Sequence, residues 1–513
     1  MVEPINNLPE LPKGWASATI PEMIPRDGVF IDGDWIESKD QDPNGDIRLI
    51  QLADIGDGVY RNKSSRFLTM KKATELDCTF LKRGDVLIAR MPDPLGRACI
   101  FPGDLKEAVT AVDVCIVRTA ELGVDNRWLM FATNSPTIRR AIESLQAGTT
   151  RKRISRKNLA TICFPLPPAN EQRRIVAKIE ELFTRLDAGV EALKKVKAEL
   201  KRYRQAVLKY AFEGKLTADW RKKNKDKIEP ASKLLKRIAK EREKFLKRKP
   251  RQLRNIPAIV LQELPDGWEW AVIDDIRNET DEYAIVDGPF GSNLKNSDYV
   301  DGAKVPVISI TNIDDGFDAS KLRFITEEKF KQIKRSGVKS GDIIMAKIGS
   351  SYGKCGYYPD SMPVGMIPAN MLKVTVSSSI SKAFCFYYFK SLVFKKRLDS
   401  IMNSTAQPAF NVSAFKALPI PVSSFAEQQK IVAEIDRHFS IADEVEQTIE
   451  RSLKEADRLR QSILKKAFEG KLVPQDPADE PAEKLLERIR AERAKLALHP
   501  QSGKRRNFKK EKT

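Results

Sequence analysis

Side chains able to make or break a covalent bond are sparse in this sequence. Its 513 residues include two histidines, His438 in a helix-like run and His499 in the tail. Both read as surface histidines, which removes His-based triads and His-ligated metals. GSSYGK at residues 349–354 approaches a phosphate loop, in which glycines let backbone N–H groups cradle phosphate and a lysine reaches it. It is one residue short and runs on into Cys355 instead of Ser or Thr, so a turn between two strands is the expectation. No GxGxxG is present, and LPPAN at residues 166–170 has the wrong residue order for an amino-methyltransferase motif. Six cysteines (78, 99, 115, 163, 355 and 385) are scattered without a CxxC pair and fit free thiols in a reducing cytoplasm. No catalytic residue, metal ligand or bound cofactor is expected on this chain.

What remains is the chemistry of charge and hydrogen bonding. The formal charge is +20 and unevenly placed. Residues 1–165 hold 23 Lys/Arg against 22 Asp/Glu, and residues 257–425 hold 19 against 19. Residues 220–254, by contrast, hold 16 against 4, and residues 500–513 hold 6 against 1. Basic runs attract polyanions but also serve as solvated linkers, so charge alone leaves nucleic-acid binding open. The start of the chain has no charged-then-apolar signal region, and Lys390 interrupts the richest apolar run, residues 383–394. No membrane span is expected.

The elements that must position these charges come in duplicate. Residues 171–216 and 427–472 align at a constant offset of 256 without a gap, and 20 of the 46 pairs are identical. The likeness extends beyond them: LPKGW at 11–15 matches LPDGW at 264–268, and IRLIQLADIGDG at 47–58 matches VPVISITNIDDG at 305–316. RGDVLIAR at 83–90 matches SGDIIMAK at 340–347, and LGR at 95–97 matches YGK at 352–354. Self-similarity over a half-chain fixes the architecture as two copies of one unit. Short β-branched runs bounded by Gly and Asp predict strands with tight turns, with helical pieces over residues 127–145 and 381–401. Each globule is therefore expected to be mixed α+β. Each closes on a polar turn (147–159 and 403–415) and a proline-rich exit, which breaks regular structure before a long helix begins.

Those long helices carry an apolar repeat of 3.5 residues, the pattern of a coiled-coil strand. Its first copy runs through Ile175, Ile179, Leu182, Leu186, Leu193, Val196, Leu200, Tyr203, Val207 and Tyr210, interrupted at Gly189. The second is weaker, through Ile431, Ile435, His438, Ala442, Val445, Ile449, Ser452, Ala456, Leu459, Ile463 and Lys466. Both stop at AFEGKL, where Gly214 and Gly470 suit the left-handed position that ends helices. A run of this size spans roughly 65 Å. Shorter amphipathic helices follow at residues 229–243 and 480–494. If the arms pair antiparallel, each covers the other's seam, and an internal pseudo-twofold relates the halves.

The plan of globule, NEQ or AEQ helix start, long helix closing on AFEGKL, and a second copy of each resembles the specificity subunit of type I restriction-modification systems. RQAVLKYAFEGKLTADWR at residues 204–221 and the paired LPxGW openings carry the likeness, which spans essentially the whole chain. The resemblance implies two target-recognition domains, residues 1–168 and 257–424, each reading half of a split double-stranded DNA target. It also implies that spacer helices at 169–216 and 425–472 form an antiparallel coiled coil that sets the gap. A basic linker with a short helix spans 217–256, and a short helix with a basic tail spans 473–513. Two modification subunits would supply S-adenosylmethionine and methyl transfer, and restriction subunits would supply ATP and Mg with translocation and cleavage. The chain itself would be a cytoplasmic, non-catalytic subunit.

Base readers approaching one face of a duplex stand about 34 Å apart or multiples of that. The longer arms therefore require globules that lean inward or DNA that bends. Phosphate-holding charge is concentrated at Arg151, Lys152, Arg153, Arg156 and Lys157. Arg90 and Arg97 match Lys347 and Lys354 in the other half. Arg and Lys read guanine while Asn and Gln read adenine, which adds Asn293, Gln407 and Asn411. GPFGSNLK at 288–295, with Lys295, is a glycine-hinged loop of the kind the family carries there. The competing reading is a non-enzymatic coiled-coil scaffold that recruits proteins and reads no DNA sequence.

Overall fold

A computed structural model of the chain describes residues 8–103, 106–119, 124–148, 152–246, 262–313, 317–403 and 407–498. The chain divides into two units, residues 1–193 with 450–513, and residues 194–449. Each half-chain's long helix is thus shared between them. Candidate Arg151, His499 and the tail from residue 500 lie outside the described residues.

In the first unit, β1 (Ala16–Thr19) pairs antiparallel with β9 (Cys163–Leu166), so the opening strand meets the proline-rich exit. Between them lie β2 (Val29–Asp32), β3 (Ile47–Ile50), β4 (Phe67–Leu68), β5 (Val86–Ala89), β6 (Ala98–Ile100), β7 (Ala108–Thr110) and β8 (Val114–Arg118). They form an antiparallel sheet in the order β2-β8-β5-β6 and a mixed one, β4-β3-β7, in which β3 and β7 run parallel. The central strand β5 is buried on both faces, as its unbroken VLIA requires.

The second unit repeats this plan. Here β10 (Glu269–Val272) pairs with β19 (Pro419–Val422). The strands between are β11 (Ile285–Asp287), β12 (Val305–Val307), β13 (Arg323–Ile325), β14 (Gly337–Val338), β15 (Ile343–Ala346), β16 (Cys355–Tyr357), β17 (Gly365–Met366) and β18 (Met371–Val374). The sheets are β11-β18-β15-β16 and β13-β12-β17-β14, again with one parallel pair, β12 and β17. GSSYGK is the turn joining β15 to β16, with Gly349 and Gly353 at φ of +92° and +81°. The two expected helical pieces are each broken in two. Ser135 caps Pro136–Ser144 after Asn126–Thr133, and Ser391 caps Leu392–Asp399 after Lys382–Lys390, each hydroxyl accepting a first-turn N–H.

Ala169–Phe212 and Phe425–Phe468 are the long helices, 44 residues each. Gly214 and Gly470 follow at φ of +68° and +70°. Within the first unit, Ile175, Val176 and Ile179 share a core with Ile463, Leu464, Ala467 and Phe468. Within the second, Val207, Leu208, Ala211 and Phe212 share one with Ile431 and Ile435. Start packs on end in both units. Further along the helices the seam is narrower than its 3.5-residue repeat predicts. Ala442, Ile449, Ala456 and Ile463, seven apart, are buried. Leu182, Leu186, Leu193 and Leu200 are half-buried. Val445 and Leu459, by contrast, are 38% and 51% exposed. The flanks are held by charge: Arg460 bonds Asp187 and lies over the Phe183 ring, while Arg204 reaches Asp443 and Glu446. His438 Nδ1 sits 2.6 Å from the Tyr203 hydroxyl.

The repeated EQ pair at each helix start is a clip. Trp15 Nε1 donates to Glu171 at 3.0 Å, and Trp268 Nε1 to Glu427 at 2.9 Å, tying the LPxGW turn to the helix. Gln172 donates to the Pro167 carbonyl and accepts from the Asp125 N–H, and Gln428 does the same with Ser423 and Ser381. Helix Ala231–Leu246 bonds the Gly267 carbonyl through the Ala231 N–H, and helix Ala482–Leu498 bonds Gly14 through Ala482. All six cysteines are free and buried, and burial pushes the Cys99 and Cys355 thiols up to about 12. Among the described residues no helix is long and apolar enough to cross a membrane.

Candidate nucleic-acid interface

Each four-stranded sheet that begins with β2 or β11 ends at a carboxylate that holds two cations. Asp32, the last residue of β2, pairs with Arg90 and lies 3.5 Å from Arg156 Nε. Asp287, the last residue of β11, takes Lys347 Nζ at 2.6 Å and Arg335 Nη2 at 3.1 Å. Register creates both clusters. Asp32 and Ile88 both stand opposite Cys115, and Asp287 and Met345 both stand opposite Leu372. The side chain two residues beyond Ile88 or Met345, Arg90 or Lys347, therefore emerges at the same end of the sheet as the carboxylate. In each cluster the inner cation is largely buried and the outer one reaches solvent. One carboxylate against two cations leaves a net positive charge.

The basic turn of the first unit is stitched onto this cluster. Ala147 and Arg153 exchange both backbone hydrogen bonds, Ile154 N–H donates to the Arg90 carbonyl, and Arg90 Nε donates back to Ile154 O at 3.1 Å. Ser155 then caps Arg156–Leu159, and the Arg156 guanidinium lies 5.8 Å over the Phe30 ring. Lys152, Arg153, Arg156 and Lys157 are exposed as a result. In the second unit Lys416 lies among Asp274, Arg277, Arg335 and Asp287; burial pulls its pKa down, and Asp274 opposes that.

Other expected residues are placed differently. Arg97 is buried, and its guanidinium donates to the carbonyls of Ile55, Leu52, Met91 and Pro94 at 2.7–3.1 Å. Burial depresses its pKa. It braces the turn after β5 from inside and has no face for DNA, which corrects its expected role as a base or phosphate contact. Lys354, its sequence counterpart, is half-buried and lines a cavity of about 260 Å³ together with Tyr352 and Lys395. Asn411 caps Val412–Lys416, its Oδ1 accepting from Ala414 N–H at 2.7 Å, so the donor–acceptor pair that adenine needs is half used. Asn293, Lys295 and Gln407 are exposed.

Sequence reasoning passed over Asp32, Asp287 and Arg335, although an Asp-Gly pair closes the same strand in both halves. It also passed over a second basic loop. Asp54, fully buried, accepts from the N–H groups of Gln51, Lys63 and Ser64 at 2.6–2.8 Å. Pinned there, the loop exposes Arg61, Lys63 and Arg66. Asn312 pins the matching loop of the second unit, accepting from Ser309 N–H and donating to Asp318 O.

A family model, the type I restriction modification DNA specificity domain, matches residues 12–202 and 290–455. The type I restriction enzyme EcoBI specificity subunit of Escherichia coli is 29% identical over 390 residues, 74% of each chain. The EcoDI specificity subunit of Escherichia coli is 27% identical over 68% of this chain and 72% of that one. Two solved chains share the fold at 18% identity. One, from work on complex assembly and conformational transition of the type I R-M system, has a TM-score of 0.63 over 90% of this chain and all of that one. The other, the HsdS subunit from Thermoanaerobacter tengcongensis, has a TM-score of 0.51 over 92% and 100%. With two regions that together exceed half the chain matched by one model and laid over the two copies of a repeated sheet plan, the chain belongs to the type I restriction modification DNA specificity domain family.

Proposed function

We infer that this chain is the DNA-specificity subunit of a type I restriction-modification complex, reading a bipartite duplex target with one unit per half-site. The observation that carries the reading is the duplicated unit: the same strand order, the same carboxylate with two cations and the same EQ clip occur twice, in a chain of this family. A duplicated reader suits a split target, because each copy can meet its own stretch of major groove, where the base pattern is unique. Phosphates are met by Lys152, Arg153, Arg156 and Lys157 in one half and by Arg335 in the other, with Lys347 behind it on Asp287. Asn293, Lys295 and Gln407, all exposed, meet base edges in the second half.

The long helices act as an antiparallel coiled coil that sets the gap, with the halves related by a pseudo-twofold. Support comes from the packing of each helix start on the other helix's end, and from the buried positions seven apart. Two modification subunits and the restriction subunits assemble on this scaffold in the cytoplasm. They bring S-adenosylmethionine, and ATP with Mg, so the chemistry lies outside this chain. The test is co-expression with a partner modification subunit and single-molecule methylation mapping. One split motif is expected. Assembly without any sequence preference would favour the protein-recruiting scaffold instead.

A further inference from the structure

Among the described residues, the two most exposed large apolar side chains occupy the same place in the two halves. Trp35 is 71% exposed and Phe290 is 74% exposed. Each lies three residues beyond the carboxylate that ends its strand, in Asp32-Gly33-Asp34-Trp35 and Asp287-Gly288-Pro289-Phe290. The backbone beneath them is built alike. Gly33 N–H donates to Val114 O, the first residue of β8, and Gly288 N–H donates to Met371 O, the first residue of β18. A Cβ on Gly33 would meet Ala111 O at 2.3 Å, and one on Gly288 would meet Pro368 O at 2.1 Å. Both loops are thus pressed onto neighbouring backbone where only glycine fits, and both lift an aromatic ring into solvent just past a cation-bearing carboxylate.

Leaving a ring of this size in water forfeits the burial that aromatic side chains ordinarily seek, and here the arrangement is made twice. We propose that Trp35 and Phe290 are equivalent wedges, each entering the base stack of its own half-site. This rests on the specificity-subunit reading. A base methylated within a duplex must leave the stack, and an apolar ring inserted at that step compensates the lost stacking. The clusters at Asp32 and Asp287, with Arg156 and Arg335 as their outer cations, hold the flanking phosphates while the ring enters. Trp35 also hydrogen-bonds Glu37 through Nε1 at 3.3 Å, which steadies the ring beside its loop.

The experiment uses the full chain assembled with its modification subunits and the duplex found by methylation mapping. Trp35→Ala and Phe290→Ala are compared with wild type on the intact duplex and on duplexes with a mismatch at the methylated position of one half-site. With the stacking of one ring on a base lost, each variant should bind the intact target roughly tenfold more weakly. Trp35→Phe should recover most of the loss. The deficit should shrink on the duplex pre-opened in that variant's own half-site and persist on the other. The slope of log K against log salt should not change, because no phosphate contact is removed. Wild-type affinity within twofold in both Ala variants overturns the proposal. So does a deficit that ignores the mismatch, or failure to assemble with the modification subunits, which would make the rings a protein contact. Absence of sequence preference in wild type would instead sink the underlying reading.

Discussion

Replacing Glu427 by Gln removes the carboxylate that faces Arg221, while the same change at Glu171 removes a charge with far less to hold. Glu427 Oε1 accepts from Thr217 Oγ1 at 2.7 Å and Arg221 Nε at 2.8 Å, and Oε2 accepts from Trp268. Removing one member of a buried pair costs about 3–5 kcal/mol. Arg221 is 16% exposed, and it also bonds Gly214 O and lies over the Trp268 ring. Those interactions lower the expected loss to about 2–3 kcal/mol after screening. Glu171 has Trp15 as donor, and its other oxygen is buried without a hydrogen bond. Burial raises its pKa above the usual carboxylate value, with the Trp15 bond opposing. A carboxyl whose folded pKa is raised contributes stability below its unfolded pKa and loses it as pH rises through the folded pKa. At neutral pH Glu171→Gln should therefore leave the first unit unchanged or more stable, and the gain should vanish toward pH 4. Hydrogen exchange at Ala482 N–H and Ala231 N–H, corrected for intrinsic rates, reports on the two units separately. Equal destabilisation by the two substitutions would refute the distinction drawn between the two clips.

Two further outcomes follow from the cation placements. Changing Lys152, Arg153, Arg156 and Lys157 together to Ala should weaken DNA binding and reduce the salt slope by about 0.9 for each phosphate no longer neutralised; an unchanged slope in filter-binding titrations removes the turn from the interface. Arg97→Ala should do the reverse. It removes a donor from four carbonyls, of which Leu52 O and Pro94 O keep a backbone N–H, from Ile55 and from residue 97 itself, while Ile55 O and Met91 O lose the guanidinium bond. At about 1 kcal/mol or more for each bond lost, it should lower the unfolding midpoint while the salt slope of the folded protein stays as in wild type.

Much of this architecture is legible because it is written twice. The offset of 256 aligns the long helices, and the LPxGW turns mark where each unit opens. Why Trp and EQ recur is clear only in three dimensions, since Trp15 and Glu171 meet across an antiparallel pair, β1 with β9, whose partners are far apart in sequence. The same limit explains Arg97: its sequence match to Lys354 is sound, but fold packing turns the guanidinium inward. The seam is narrower than its pattern for a related reason. Periodicity names both positions of a heptad, while the fold buries one of them, at Ala442, Ile449 and Ala456, and leaves Val445 and Leu459 outside. The Asp32 and Asp287 clusters depend on strand register, which no local pattern reveals.

The central claim is that the chain measures DNA with its helices. Insertion of one heptad into each, after Leu193 and after Ile449, lengthens a helix by about 10.5 Å and preserves its apolar phase. Methylation mapping of a strain carrying that variant should return the same two half-sites with a longer gap, by up to about three base pairs at roughly 3.4 Å each. Methylation at the original spacing would contradict the account.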